Sequence, residues 1–175
     1  MTNKENLKNV VNTLIKSWKE TRQLTYDFIN ENTLEIMNKE LPRPGLNTLA
    51  KHILEMALVQ KAYTRALEGQ SLDFSEVEGI TFGKEDYVAS NKSELIKHLK
   101  DADDYFYTVV EKVENWDDKI EMFGEIVPKY AVLELLIRHE TLHHGQFVAF
   151  GYILKAKFPE SWIEFWALPI EEEKE

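Results

Sequence analysis

Apolar residues recur at three- and four-residue spacing through four long stretches, and turn-forming residues separate them. That spacing predicts four helices. The first covers residues 6–31, with Leu7, Val10, Val11, Leu14, Trp18, Thr21, Thr25 and Phe28 on one side; Thr2 and Glu5 are spaced for a capping box at its start. Leu41-Pro42-Arg43-Pro44-Gly45 stops helical structure. Residues 33–40 before it fit either a short turn or an extended arm. The second helix begins at Leu46 or Asn47 and runs to Leu67, with Gly69 placed to end it. Leu49, His52, Met56, Val59, Tyr63, Ala66 and Leu67 form its stripe.

Residues 69–90 show no periodicity. A connection of that length can travel the height of a bundle and let the second and third helices run parallel. The third helix starts near Asn91, with Glu94 at the capping-box position, and ends by Asn115-Trp116-Asp117-Asp118. Residues 119–127 read as an extended or hairpin-like connector turning at Gly124. Pro128 suits the first turn of a fourth helix over residues 128–154. Beyond Pro159, the residues Trp162, Phe165, Trp166 and Leu168 are expected to fold back over the bundle, with a self-association face as the alternative.

The fourth helix carries the chemistry. Val132, Leu135, Leu136, His139, Leu142, His143, Gln146, Phe150 and Ile153 project to one side, and His139 and His143 lie about 40° apart. An unpaired imidazole buried there costs a few kcal/mol, and one divalent metal bridging an i, i+4 pair satisfies both rings. His52 is aimed inward from the second helix, which makes three inward histidines on two stripes. His144 projects about 140° from His139, toward the edge or solvent, and His98 sits at the border of its stripe. Neither is counted as a ligand.

Composition narrows the partners. The chain has 175 residues, 43% hydrophobic and 30% charged, with a net charge of −10. Such a length most simply makes one domain, here residues 1–170, followed by a solvated acidic tail at 171–175. The acidic balance argues against nucleic acid as a partner, and no apolar run is long enough to span a bilayer. The chain has no cysteine, which excludes disulfides and thiolate ligands and fits the cytoplasm.

A histidine within Leu49-Ala50-Lys51-His52, followed late in the chain by His139-Glu140-Thr141-Leu142-His143-His144-Gly145-Gln146, resembles the DinB/YfiT-like superfamily of bacterial metalloproteins. The likeness extends over nearly the whole chain. Family members commonly carry Arg between the second histidine of the pair and the glycine, where this sequence has His144. The resemblance implies an all-α four-helix bundle of down-up-up-down topology, with a long connection between the second and third helices. It implies a metal held by His52, His139 and His143, and often a homodimer. It also implies thiol-dependent transfer or hydrolysis on a small molecule, in a family named for damage-inducible expression.

Three neutral imidazoles leave a coordination position open, as catalytic sites do. Zinc or nickel suits such a set, with iron or manganese next, and a low-molecular-weight thiol is the expected co-substrate. Glu55, one turn after His52, and Gln146 are candidates for orienting ligands or substrate. The alternative from another class is a non-catalytic metal-binding or dimeric interaction bundle. His139-Glu140-Thr141-Leu142-His143 also matches the zinc-protease signature H-E-x-x-H. That reading is disfavoured, because Glu140 projects about 100° from His139 and Glu160 and Glu164 lie beyond Pro159.

Overall fold

The computed structural model describes residues 3–169. Thr2 and the acidic tail lie outside the described residues. In chain order the elements are α1 (Asn3–Glu31), α2 (Leu34–Asn38), α3 (Leu49–Leu67), α4 (Ser75–Thr81) and α5 (Lys92–Val110). The hairpin β1 (Lys119–Met122) and β2 (Glu125–Pro128), α6 (Tyr130–Leu154) and α7 (Glu160–Trp166) complete them. Among the described residues, no helix is long and apolar enough to cross a membrane.

The four long helices, α1, α3, α5 and α6, bury two joined cores. In one, Phe28 and Ile29 of α1 meet the first half of α3, Leu95 and Leu99 of α5, and Phe147 and Leu154 of α6. In the other, Val11 and Trp18 of α1 meet the second half of α3, Phe106 and Val109 of α5, and Val132 and Leu136 of α6. The first halves of α3 and α5 share one core and their second halves the other, so these two helices run the same way. By the same pairing α1 and α6 run opposite to them.

Local chemistry explains the ends. Thr48 caps α3 by accepting from Lys51 N at 3.1 Å, and Asn91 caps α5 by accepting from Glu94 N at 2.9 Å. Residues 33–40, open in the sequence, form α2, capped by Thr33. The aperiodic 69–90 stretch holds α4, which buries Val77 and Ile80. Gly45, at φ 74°, lets the turn before α3 approach α4: a Cβ there would meet the Thr81 carbonyl oxygen at 2.3 Å.

Three expectations need correction. Pro128 closes β2 opposite Lys119 and does not enter the helix, because the hairpin pairs through it. Val10 is 49% exposed, on the edge of α1. The largest correction concerns α6: Leu142 and Ile153 are 60% and 67% exposed, whereas Glu140 and His144 are each 1% exposed. The helix is apolar around most of its circumference, so periodicity leaves its facing open. Polar partners on α1 set it instead. Trp162 of α7 folds back as expected, fully buried, with its indole N–H donating to the Leu24 carbonyl at 2.6 Å.

Candidate metal centre

The α3 helix runs through the middle of the bundle and buries nearly its whole circumference, including Lys51, His52, Glu55, Gln60 and Thr64. His52 and Glu55 are one turn apart on it and face α6, where His139 and His143 repeat at one-turn spacing. Glu55 Oε2 lies 2.9 Å from His143 Nε2 and 3.3 Å from His139 Nε2. The two histidine Nε2 atoms are 3.2 Å apart. These three groups form a cluster suited in composition and closeness to a metal ion.

His52 stands behind this triangle. Its Nε2 is 3.0 Å from the Leu46 carbonyl oxygen and its Nδ1 is 2.8 Å from His143 Nδ1. A carbonyl only accepts, so His52 Nε2 carries the proton. Burial, then the neighbouring His143 and Arg43, lowers the His52 pKa to about 3, so the ring is neutral and its Nδ1 is a bare acceptor. His143 must therefore donate from Nδ1. Burial lowers the His143 pKa as well, so that ring is neutral and its Nε2 presents a lone pair to Glu55 and His139. Burial pushes Glu55 up, but it is outweighed by hydrogen bonding from, and charge on, His139 and His143 when their facing nitrogens are protonated, which hold the carboxyl at about 2. With His143 neutral, that stabilisation has to come from another cation.

A carboxylate oxygen and two ring nitrogens thus crowd together with a bare lone pair on His143, which calls for positive charge among them. Donor atoms that share one ion at 2.0–2.2 Å lie about 2.9–3.5 Å apart, so the observed spacings fit a divalent metal. The residues present fit the group the sequence implied.

Of the three expected ligands, the structure brings His139 and His143 together at the triangle and sets His52 behind His143. Glu55, expected to orient, occupies the third corner. Gln146 is half-buried, with its Oε1 buried and unpartnered. His98 is half-buried on α5, with Nε2 3.9 Å from Glu94, away from the cluster.

His144 faces a second buried polar region that the sequence did not reveal. Its Nε2 is 2.8 Å from Thr25 Oγ1, and Thr25 donates to Glu140. Arg22 reaches Glu140 at 3.4 Å, Asp103 at 3.4 Å and Gln60 Oε1 at 2.6 Å, with its guanidinium 4.7 Å from the Trp18 ring centre. Gln60 and Tyr26 both donate to Asp103, at 2.8 and 2.6 Å. Burial raises the Glu140 pKa, against Arg22 and Thr25, which lower it. Burial, Arg22 and His143 lower that of His144 to about 3. Glu140 therefore holds the bundle together from the opposite side of α6, away from the position a zinc-protease base would need.

Comparison with known proteins agrees with this architecture. The sequence model of the DinB family matches residues 1–150. The fold is similar to the crystal structure of a DinB-like protein from Bacillus cereus ATCC 10987, with a TM-score of 0.65 at 15% identity. That alignment covers 83% of this chain and 93% of the other. No curated protein matches the sequence.

Proposed function

The chain belongs to the DinB family, and from that premise we propose that it is a metal-dependent enzyme acting on a small molecule by thiol-dependent transfer or hydrolysis. The observation that carries this reading is the triangle of Glu55 Oε2, His139 Nε2 and His143 Nε2 at 2.9–3.3 Å. Those residues would hold the ion. Two imidazoles and one carboxylate are a set that zinc takes in hydrolytic sites, and nickel, iron or manganese can share it. The chemistry a divalent ion supplies in such a set is Lewis acidity, which activates a water or a thiol near neutral pH.

The chain's own groups prepare the site. Leu46 fixes the His52 tautomer, and His52 fixes that of His143, so Nε2 always faces the triangle. Glu55 contributes the negative charge. His139 is the most open of the three, at 19% side-chain exposure, and borders the cavity from which substrate would approach. Small molecules are the proposed substrates, and the net charge of −10 disfavours nucleic acid. A cytoplasmic homodimer is part of the proposal; the exposed Leu142 and Ile153 on α6 support self-association.

The test is metal analysis of untagged protein, followed by thiol-transfer and esterase screens with zinc, nickel, iron and manganese. One ion per chain in the wild type, lost in His139→Ala, is expected, together with turnover in one screen. A wild type that binds none of the four metals would overturn the reading. Metal binding without turnover across the screens would favour a non-catalytic bundle instead.

A further inference from the structure

The two-residue turn between β1 and β2 is Phe123-Gly124, with φ of 55° and 79°. Mirror-image hairpin turns of this kind prefer Asn, Asp or Gly at the first position, because a side chain with a Cβ is strained there. Phe123 bears that strain while 61% exposed, so burial recovers little of it. Its ring instead stacks on Phe74 at 5.9 Å and 18°, and stands edge-on to Tyr63 at 6.3 Å. Tyr63 in turn lies 6.5 Å from the His139 ring. At the end of α4, Phe82 is 67% exposed on the same cavity's rim.

These rings border a cavity of about 310 Å³, floored by Val59 and Val77, with Glu55 and His139 in its wall. That volume is at the lower end for small-molecule sites. Among the described residues lining it there is no Lys or Arg. Away from Glu55 and His139 the only charged residue among the described lining residues is Glu78, which is exposed, so the ring end offers no partner to a buried charge.

We propose that this cavity is the substrate subsite and takes an uncharged aromatic group, clasped by Tyr63, Phe74, Phe82 and Phe123, with the reacting end toward Glu55, His139 and His143. The inference rests on reading those three residues as the reactive centre. Phe123 is then placed in left-handed backbone for the ligand and at a cost to the hairpin.

Two uncharged probes of similar size test it on the full chain: 2-naphthylmethanol and its saturated counterpart decahydro-2-naphthylmethanol, titrated by calorimetry and ligand-observed NMR. The aromatic probe should bind about tenfold tighter than the saturated one, the factor set by roughly 1.4 kcal/mol. Val59→Phe should fill the floor and remove binding. Phe123→Asn suits the turn, so it should hold or raise Tm while weakening the aromatic probe about tenfold through the lost ring contacts. Equal or tighter binding of the saturated probe, or unchanged affinity in Phe123→Asn, would overturn the proposal. Titrations are run on metal-loaded and chelated protein. If metal never binds but the aromatic probe does, the reactive-centre reading fails and the aromatic pocket stands. If metal binds and the probe does not, only the pocket fails.

Discussion

Two polar clusters sit inside this bundle, and they differ in how their charges are matched. Around Arg22, opposite charges meet: the guanidinium faces Asp103 and Glu140 and donates to Gln60, and Tyr26, Gln60 and Thr25 donate to the two carboxylates, although Arg22 Nε and Nη1 and His144 Nδ1 make no hydrogen bond. Around Glu55, a carboxylate oxygen and two imidazole nitrogens crowd together, with His143 fixed as an acceptor from behind. Both clusters are buried and both draw on α3 and α6. The first can be explained by folding alone. The second leaves an electrostatic deficit that a cation would remove, which is why it reads as a site.

Breaking each cluster should therefore have opposite consequences. Arg22→Met leaves Asp103 and Glu140 buried without their cation and should cost about 3–5 kcal/mol in urea unfolding. Glu55→Gln in chelated protein should cost almost nothing, because the new amide can donate to His143 Nε2. A large loss in Glu55→Gln and a small one in Arg22→Met would invert the comparison.

Metal should stabilise only through the second cluster. With free zinc a thousandfold above its dissociation constant, wild type should gain about 4 kcal/mol, read as a rise in Tm. His139→Ala should lose that increment yet remain helical by circular dichroism, since the two apolar cores do not depend on the ion. Equal Tm with and without chelator, in protein shown to have lost its metal, would contradict the reading.

A smaller effect separates His52 from Glu55. If His52 orients His143 from behind, His52→Ala should weaken zinc about 10–100-fold, the range for outer partners of a ligand. Glu55→Ala should weaken it further. Copper substitution with pulsed EPR should count two imidazoles. Three imidazoles, with zinc binding abolished in His52→Ala, would restore the three-histidine set that family resemblance implies.

How much of this was legible follows from what each signal measures. The four long helices and the hairpin turn at Gly124 were readable because period and turn chemistry act locally. The inward aim of His52, His139 and His143 was readable too. Facing on α6 was not, since apolar residues surround most of that helix and any side would satisfy the pattern. Its orientation is decided by Glu140 and His144 finding Arg22 and Thr25 over a hundred residues away in sequence. Glu55 was noticed only as a neighbour of His52. Which of the two reaches the triangle depends on the Leu46 carbonyl, whose position is set by the turn before α3.

The smallest expected effect tests whether His144 belongs to the matched cluster. Its pKa is lowered by burial, then by Arg22 and His143, from the usual 6.5 to about 3. Above pH 6.5 the ring is neutral in both folded and unfolded states and contributes no slope. Below that, the unfolded chain takes up a proton that the folded chain refuses, so stability falls with pH down to about 3. The slope for one such group approaches 1.4 kcal/mol per pH unit. His52 adds a similar slope, since its folded pKa is also about 3. Glu140 acts in the other direction: its pKa is raised in the fold, so between the ordinary carboxylate value and its raised value falling pH favours the folded state. Chelated wild type should therefore lose stability between pH 6 and 5, measured by urea unfolding. His144→Phe, which can keep the packing against Trp162 (4.6 Å between ring centres in the wild type), should lose about 1 kcal/mol less over the same interval. The comparison uses slopes, so any constant cost of losing the Thr25 contact drops out. Parallel curves for the two proteins would mean that His144 protonates without penalty in the fold, and the matched cluster would then end at Thr25.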